Sequence, residues 1–256
     1  MGVNELADNQ ILKAYHEQGY FTVEALFTAD EVEGVLKEIT KIAERYPNVP
    51  KELVQIEPSV IRGEHTPESV ELGVRKLFQM AKHNDLFRNL AFHPKMVQIA
   101  TTLLGPDIKL LQSMLLMKPP HFGGAKVWHQ DNAYFRLTPN HVFGFWVACD
   151  EATLENGCMH VIPGSHKQGI GEHGGVNDDY GLLQPPSIEN ALPIPLKTGD
   201  ALVFHSEIFH YTPPNRSDKR RRAVQYHYAA SKCRRSKEGN TFNLEAEFLV
   251  AGREAG

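Results

Sequence analysis

The chain has 256 residues with 27 basic and 31 acidic side chains, which give a formal net charge of −4 when histidine is neutral. A small negative charge argues against nonspecific nucleic-acid binding, and no apolar run is long enough to span a bilayer. The start of the chain lacks the basic and apolar segments of a signal peptide, and its three cysteines are odd in number and widely spaced. We therefore expect a cytoplasmic protein with reduced thiols, no nucleic-acid partner and no membrane span.

The part of the chain before about residue 105 is predicted to be largely helical. Thr28-Ala-Asp-Glu31 is a capping-box pattern, in which the threonine and glutamate side chains satisfy free amides at the start of a helix. Apolar residues recur at helical spacing in this region, and Gly105-Pro106 ends the last helical segment. A short strand is expected from Gly19. The helices are expected over residues 8–18, 28–45, 67–91 and 94–104.

From Ile108 the pattern changes to short apolar runs separated by Gly, Pro and Asn turns. Strands of this length and spacing are typical of a β-barrel or sandwich, and helices followed by strands predict a mainly β core with helices packed on one side. We expect a single domain with a helical part over 1–105, a β core over 106–232 and a C-terminal extension over 233–256. The strands are expected over residues 108–117, 125–129, 141–149, 158–162, 192–197, 200–211 and 221–230.

The segment from Lys167 to Pro193 is rich in glycine and has little periodicity. An irregular stretch of this length inside a compact domain is usually a functional covering loop or a disordered one. Because it lies between strands that carry the candidate site, we favour a loop that covers the substrate. A second irregular stretch, over 48–64, is expected to fold over the same opening.

The tripeptide His129-Gln130-Asp131 places an imidazole and a carboxylate on one face of an extended strand, about 7 Å apart at Cα. A second imidazole from His210 would complete a face of two histidines and one carboxylate. This face suits non-haem Fe(II), because the opposite coordination positions stay open for an oxidant and O2. His-x-Asp alone is a frequent pattern and carries little weight. Its weight increases because a second cluster of functional residues begins at His210.

This second cluster joins His210 to Arg221 through the turn Pro213-Pro214-Asn215. A strand over 201–211 is expected to end at His210, and a second strand from 221 is expected to return beside it as a hairpin. His210 and Arg221 then lie at one end of the hairpin and face one cavity. A guanidinium binds a carboxylate through two parallel hydrogen bonds, so Arg221 is suited to hold a dicarboxylate co-substrate next to the metal.

Three stretches, followed by His210 to Arg221, carry a family resemblance in the right order. They are Trp128-His-Gln-Asp131, Asn156-Gly-Cys-Met-His-Val-Ile-Pro-Gly-Ser-His166 and Gly199-Asp-Ala-Leu-Val-Phe204. Over about residues 10–230 the chain resembles the phytanoyl-CoA dioxygenase family. The resemblance implies an Fe(II)- and 2-oxoglutarate-dependent oxygenase on a double-stranded β-helix, a jelly-roll core of the cupin type that is buttressed by N-terminal helices.

By position, the resemblance also implies the site residues, with O2 as the oxidant. The implied iron ligands, which form the catalytic centre, are His129, Asp131 and His210. The implied co-substrate residues are Arg221 for the far carboxylate of 2-oxoglutarate, Thr212 through its hydroxyl, and Gln112. Relatives that halogenate carry a small residue in place of Asp131, so this carboxylate argues for hydroxylation and against halogenation.

The expected substrate is a small organic metabolite such as an acyl-CoA, a lipid or another natural product. Tyr134, Phe135 and Trp146 lie near the motif strands and are candidates for its pocket, although aromatic residues in a β core are more often only packing. Other histidines, including His205 and His227, are expected to be ordinary core or surface residues. Desaturation, ring closure, a catalytically silent binding protein and a zinc hydrolase stay open as alternatives. The sequence predicts neither the substrate nor the oligomeric state.

Overall fold

The computed structural model describes residues 3–45, 49–177, 179–235 and 248–253. The α-helices in these ranges are α1 Val3–Gln18, α2 Ala29–Glu44, α3 Pro58–Ile61, α4 Val70–Gly73, α5 Met80–His83, α6 Asp85–Leu90, α7 Pro94–Leu104 and α8 Asn132–Phe135. Single 3-10 turns lie at Lys51–Leu53, Ser165–Gln168 and Ile188–Asn190. No helix among the described residues combines the length and the apolar character needed to cross a membrane.

The strands before residue 150 are β1 Tyr20–Val23, β2 Val54–Ile56, β3 Val74–Phe78, β4 Ile108–Lys118, β5 Lys126–His129, β6 Leu137–Thr138 and β7 Val142–Ala148. Those after it are β8 Met159–Val161, β9 His173–Val176, β10 Asp179–Leu182, β11 Leu192–Ile194, β12 Ala201–His205, β13 His210–Thr212, β14 Arg221–Ala230, β15 Arg234–Arg235 and β16 Phe248–Ala251.

Two antiparallel sheets face one another. The large sheet has the strand order β1-β12-β7-β14-β4-β3-β2, with β16 also paired to β4, and the small sheet has the order β11-β8-β13-β5. The pairings within the described residues do not close either sheet into a barrel. Side chains from both sheets meet in one buried cluster that includes Trp146 and Phe204 from the large sheet and Met159 and Val161 from the small one.

The strand β14 shows how the large sheet divides its two faces. Successive side chains of a strand point to opposite faces, and here Val224, Tyr226 and Tyr228 enter the core shared with the helices. The hydroxyls of the two tyrosines donate to the carbonyls of Phe87 (2.8 Å) and Ala91 (2.7 Å), which anchors this face to α6 and the turn after it. The intervening residues of β14 therefore point towards the small sheet.

The predicted mainly β fold with helices on one side is confirmed. The expected capping box is present, with Thr28 as the N-cap of α2 and reciprocal hydrogen bonds to Glu31. The expected helix over 94–104 agrees with α7, and Gly105 is its C-cap. The single-domain boundaries stay a prediction. Much of the expected extension over 233–256 lies outside the described residues.

The expected helix over 67–91 is wrong. Its sequence forms α4, then the strand β3, then α5 and α6. Gly73 ends α4, and the segment after it pairs with both β2 and β4, which satisfies its backbone within the sheet. Val74 and Leu77 are buried there, so sheet pairing overrides the helical spacing of the apolar residues.

The expected continuous strand over 200–211 is also wrong. The large-sheet strand β12 ends at His205, the chain turns, and His210 begins β13 in the small sheet. The amide of Ile208 donates to the carbonyl of His205 (3.0 Å) within this turn. Because β13 and β14 belong to different sheets, the expected hairpin between His210 and Arg221 does not exist. The two residues approach one cavity from opposite walls.

The segment over 167–193 is not wholly irregular, because β9 and β10 form a hairpin within it, here named the covering hairpin (residues 173–182, of which 178 lies outside the described residues). This hairpin lies beside β5. Asp179 forms ion pairs with Lys126 and, at 3.3 Å, with Arg75, while the hydroxyl of Tyr134 donates to the carbonyl of Tyr180 (2.6 Å). These contacts hold the hairpin against β5 of the small sheet and α8, and also tie it to β3 of the large sheet.

We predict that Asp179→Asn loosens the covering hairpin. Burial alone would raise the pKa of Asp179, but the charges of Lys126, Lys76 and Arg75 lower it to about 2. A carboxyl group whose pKa is lower in the folded than in the unfolded protein stabilises the fold at any pH above its unfolded pKa. For Asp179 this stabilisation is about 2 kcal/mol, and it is lost as the pH falls from about 4 towards 2. Denaturant unfolding at pH 7 should show a loss of this size, with faster hydrogen exchange in β9 and β10.

The matched control is Asp218→Asn, because Asp218 is 95% exposed in its pair with His121. The control should leave both readouts unchanged, as expected for an exposed ion pair. Equal unfolding free energies and hydrogen exchange in wild type and Asp179→Asn would contradict the assigned role of Asp179.

Candidate active site

Two imidazoles lie side by side on neighbouring strands of the small sheet. His210 at the start of β13 is paired directly opposite His129 at the end of β5, and the ring centroids are 4.0 Å apart. Both side chains are buried. The sheet register therefore brings together two residues that are far apart in the sequence.

Each of these imidazoles is oriented by a backbone carbonyl two residues earlier. The Nδ1 atom of His129 lies 2.8 Å from the carbonyl of Val127, and that of His210 lies 3.0 Å from the carbonyl of Ile208. A carbonyl oxygen only accepts, so Nδ1 carries the hydrogen and the Nε2 lone pair is left for a metal. Burial and the other imidazole lower the pKa of His129 to about 3, and burial also lowers that of His210. Both rings are neutral at pH 7, as metal binding requires.

Asp131 completes the group, although not in the predicted way. The strand β5 ends at His129, and Asp131 has helical backbone angles (φ −65°, ψ −37°) as the N-cap of α8. The expectation that His129 and Asp131 share one strand face is therefore wrong. A tight turn brings the Oδ1 atom of Asp131 to 3.5 Å from Nε2 of His129 and 3.6 Å from Nε2 of His210.

The turn between the two motif residues is held by Gln130, whose side chain is fully buried. Its amide nitrogen donates to the carbonyls of Gly169 (2.8 Å) and Glu207 (2.7 Å), and its amide oxygen accepts from the backbone of Gly171 (2.8 Å). Gln130 thus ties the turn to the segment before the covering hairpin and to the turn that leads into β13. The middle residue of the motif is structural, and it fixes where Asp131 points.

The three side chains form a donor set with two nitrogens and one oxygen. One ligand atom from each of His129, Asp131 and His210 lies within 4.8 Å of the others, and across the described residues no further cluster of this kind brings its ligand atoms so close. Burial alone would raise the pKa of Asp131, but neighbouring imidazoles and hydrogen bonds hold it well below its usual value, so the carboxylate is ionised. Two neutral imidazoles and one carboxylate fit Fe(II) with open coordination positions.

The group opens into a cavity of about 550 Å³ between the two sheets. The other residues singled out in the sequence line the same cavity. They are Gln112 on β4, Tyr134 and Phe135 on α8, Trp146 on β7, Thr212 on β13 and Arg221 on β14. The covering hairpin contributes Asn177, Asp179 and Tyr180 to its wall.

Arg221 is a buried cation that faces this cavity. Its side chain is 2% exposed, its guanidinium lies over the Trp146 ring at 5.2 Å, and its Nε and Nη1 atoms have no hydrogen-bond partner among the described residues. Burial lowers the pKa of Arg221 to about 10, so it keeps its charge at pH 7. A buried charge without partners is costly. A carboxylate that enters the cavity would satisfy these donors.

Two residues outside the predicted site lie against the metal group: His227, which was expected to be an ordinary histidine, and Gln225, for which no role is predicted from the sequence. His227 places Nε2 at 2.8 Å from the Oδ2 atom of Asp131, and the Gln225 amide lies 3.5 Å from the same oxygen. Strand alternation was the available signal, because residues 223, 225 and 227 share a face of β14 with Arg221. Because Arg221 faces the cavity, the same parity puts His227 on that side of β14, where it is fully buried behind Asp131.

Further basic residues line the cavity, and their positions were not predicted. Arg75 and Lys76 on β3, Lys118 on β4 and Lys126 on β5 all contribute. Burial, together with the charge of Lys126, lowers the pKa of Lys76 to about 7. Burial also lowers the pKa of Lys118 well below its usual value. The positive charge of the wall at pH 7 therefore comes chiefly from its two arginines, Arg75 and Arg221, which attract anions.

Comparison with known proteins places this site in a family. The family model described as Phytanoyl-CoA dioxygenase (PhyH) matches residues 15–223. The peroxisomal phytanoyl-CoA dioxygenase of Rattus norvegicus is 28% identical over 243 residues, which cover 89% of this chain and 71% of that protein.

Two solved structures share the fold. The apo non-haem monooxygenase ThoJ has a TM-score of 0.75 at 23% identity and covers 96% of this chain and 85% of its own. The epimerase SnoN, in complex with Fe3+, α-ketoglutarate and nogalamycin RO, has a TM-score of 0.72 at 20% identity and covers 91% of this chain and 88% of its own. The family match confirms the predicted family and its dioxygenase class: the chain belongs to the phytanoyl-CoA dioxygenase family.

Proposed function

We propose that the chain hydroxylates an aliphatic C–H bond of a small organic metabolite, with Fe(II), 2-oxoglutarate and O2. One observation carries the proposal. Two histidines and one carboxylate, with ligand atoms within 4.8 Å of one another, line the same cavity as the buried Arg221. The Nε and Nη1 atoms of this guanidinium have no hydrogen-bond partner among the described residues. A metal site beside an unpartnered cation suits a co-substrate that chelates the metal at one end and carries a carboxylate at the other.

The proposed reaction balances without a further reductant. One oxygen atom of O2 enters the substrate as a hydroxyl group. The other enters 2-oxoglutarate, which loses CO2 and leaves as succinate. When bound, Fe(II) supplies the oxidising chemistry, while the protein supplies binding and orientation. The reaction needs a metal with open positions, and the three ligands occupy one face only.

In this proposal the small sheet holds the metal and the large sheet holds the co-substrate. Fe(II) is bound by His129, Asp131 and His210. Backbone carbonyls orient the Nε2 atoms of the two histidines into the cavity, and the turn at Gln130 orients the carboxylate of Asp131. Arg221 binds the distal carboxylate from the opposite wall, with its guanidinium held over Trp146. Thr212 and Gln112 line the same cavity, and in this proposal their hydroxyl and amide supply further hydrogen bonds to the co-substrate.

The substrate side of the cavity is assigned to α8 and the covering hairpin. Tyr134 and Phe135 lie on α8, and Tyr180 packs edge-to-face against Tyr134 with ring centroids 5.2 Å apart. These rings exclude water and position a C–H bond near the metal, which is how a protein contributes to such a reaction. An acyl-CoA, a lipid or another natural product is the proposed substrate class, and a cytoplasmic location stays a prediction.

The experiment that tests the proposal is a metabolite screen with the full chain, Fe(II), 2-oxoglutarate and O2. Succinate release that a metabolite stimulates, together with a product that has gained one oxygen atom, would support it. Loss of two hydrogen atoms would indicate desaturation or ring closure instead, and an unchanged mass would indicate epimerisation, the activity named for SnoN. Asp131 supports hydroxylation over halogenation because it occupies a coordination position. The complete ligand set supports an active enzyme over a silent binding protein.

We predict that His210→Ala weakens Fe(II) binding by more than about 100-fold, because loss of an outer partner of a ligand alone costs about 10–100-fold. Asp131→Ala should weaken it similarly and abolish succinate release. Anaerobic calorimetric titration measures the affinity. The control is His160→Ala, because His160 lies in the same sheet opposite Tyr211 but outside the group. Wild-type affinity in Asp131→Ala would refute the ligand assignment.

We predict that Arg221→Ala raises the KM for 2-oxoglutarate by about 100-fold, since a bidentate charged contact contributes about 3 kcal/mol. Fe(II) affinity should change little. Arg221→Lys keeps the positive charge but loses the pair of parallel hydrogen bonds, so its KM for 2-oxoglutarate should lie between those of the wild type and Arg221→Ala. The control is Arg222→Ala, because the next residue of β14 pairs with Asp150 at 2.8 Å on the other face. An unchanged KM in Arg221→Ala would assign the carboxylate site elsewhere.

A further inference from the structure

His227 is a completely buried imidazole that contacts Asp131. It lies on β14 in the large sheet, whereas the three candidate ligands lie on or next to the small sheet. Its Nε2 atom is 2.8 Å from the Oδ2 atom of Asp131, which is closer than either candidate histidine ligand lies to that carboxylate. The two sheets are thus joined directly behind the metal group.

The two oxygens of Asp131 face different partners. Oδ1 lies 3.5 Å and 3.6 Å from the Nε2 atoms of His129 and His210, on the side where a metal would be held. Oδ2 points away from them to His227, with the Gln225 amide 3.5 Å from it. An ionised carboxylate only accepts hydrogen bonds, so at 2.8 Å His227 carries its hydrogen on Nε2 and donates it. The amide nitrogen of Gln225 lies 3.0 Å from the same Nε2 atom, and because both nitrogens are then donors, this amide also donates to Oδ2 and not to His227. The Nδ1 atom of His227 has no partner among the described residues, which agrees with an unprotonated nitrogen at that position.

The surroundings of His227 fix its ring in this orientation. The Phe135 ring packs edge-to-face against it with centroids 4.9 Å apart, and the Phe204 ring lies 6.4 Å away in a similar arrangement. On β7, a Cβ atom at Gly144 would lie 2.9 Å from Phe204 and 3.2 Å from His227. Only glycine therefore leaves space for both rings, and the imidazole has little freedom to turn away from Asp131.

We propose that His227 is a positioning residue that makes Asp131 bind the metal through Oδ1 alone. By holding Oδ2 in a hydrogen bond, His227 keeps the carboxylate from closing on the metal with both oxygens. A second oxygen on the metal would occupy a position that the co-substrate needs. The inference rests on the proposed function and adds to it how the third ligand is oriented. Hydrogen bonds from neighbouring groups to ligands are a general means of orienting metal ligands.

The test compares variants of His227 in the full chain, with Co(II) as the metal probe. His227→Phe keeps a ring of similar size but removes the donor, so Co(II) affinity should fall by about 10–100-fold. The visible absorption of bound Co(II) should also change, because its intensity and position report the number of ligand atoms. At saturating Co(II), 2-oxoglutarate should bind more weakly to this variant, since a freed Oδ2 competes for its position.

Two further variants separate positioning from packing. In His227→Gln, the amide nitrogen reaches about as far from the backbone as Nε2 and can donate to Oδ2, so affinity and spectrum should return towards wild type. In His227→Asn, the shorter amide falls short of Oδ2, so both should resemble His227→Phe. The Gln and Asn pair keeps the test open if His227→Phe does not fold. The control is His205→Phe, a half-buried imidazole on β12 that binds the amide of Glu207.

The outcomes are distinct. The positioning role is supported if His227→Phe lowers Co(II) affinity and changes the visible spectrum, if His227→Gln restores both, and if His205→Phe changes neither. Wild-type Co(II) affinity and spectrum in folded His227→Phe, or equal defects in the Gln and Asn variants, overturns it and leaves His227 as a packing residue. If wild-type protein itself does not bind Co(II), the proposed function fails together with this inference.

Discussion

The register between β5 and β13 is the constraint on which the site depends. It sets His129 opposite His210 and brings their rings to 4.0 Å. Carbonyls two residues earlier point both Nε2 atoms inward, and the Gln130 turn adds the Asp131 carboxylate. A slip of one residue would turn every side chain of the slipped strand to the other face. The large sheet then supplies the cavity wall that carries Arg221, so the proposed co-substrate and metal sites are assembled by the packing of two sheets and not by one loop.

The sequence correctly predicted those elements whose structure depends on interactions between residues close together in the chain. The capping box at Thr28 and the helix ended by Gly105 depend on local hydrogen bonding, and both are present. The long strands β4 and β14 were expected over nearly the residues they occupy. The residues predicted for the site all line one cavity. Their positions could be predicted because the chain resembles one family over most of its length. The alternation of side chains along a strand would not by itself have identified these residues as one site.

The errors arose where tertiary pairing overrides local pattern. The turn after His205 moves the chain from one sheet to the other. Only the two polar residues Ser206 and Glu207 lie between His205 and the next apolar residues, so the sequence predicts one continuous strand. Asp131 leaves the strand through a turn held by distant carbonyls, which no spacing rule describes. The apolar residues of β3 recur at helical spacing, which predicts a helix, while its pairing with β2 and β4 involves residues far outside that local pattern. His227 was overlooked because a histidine in a strand reveals its role only when the facing residue is known.

The most direct test of the central claim is an anaerobic titration of the full chain with Fe(II) and then 2-oxoglutarate, followed by visible absorption. The site described here predicts a metal-to-ligand charge-transfer band that saturates near one equivalent of Fe(II) and requires 2-oxoglutarate. The two histidines, Asp131 and Arg221 line one cavity, so the proposal requires both Fe(II) and 2-oxoglutarate to bind there. A folded protein that shows no band with both present would contradict the assignment of this cavity as an Fe(II) and 2-oxoglutarate site.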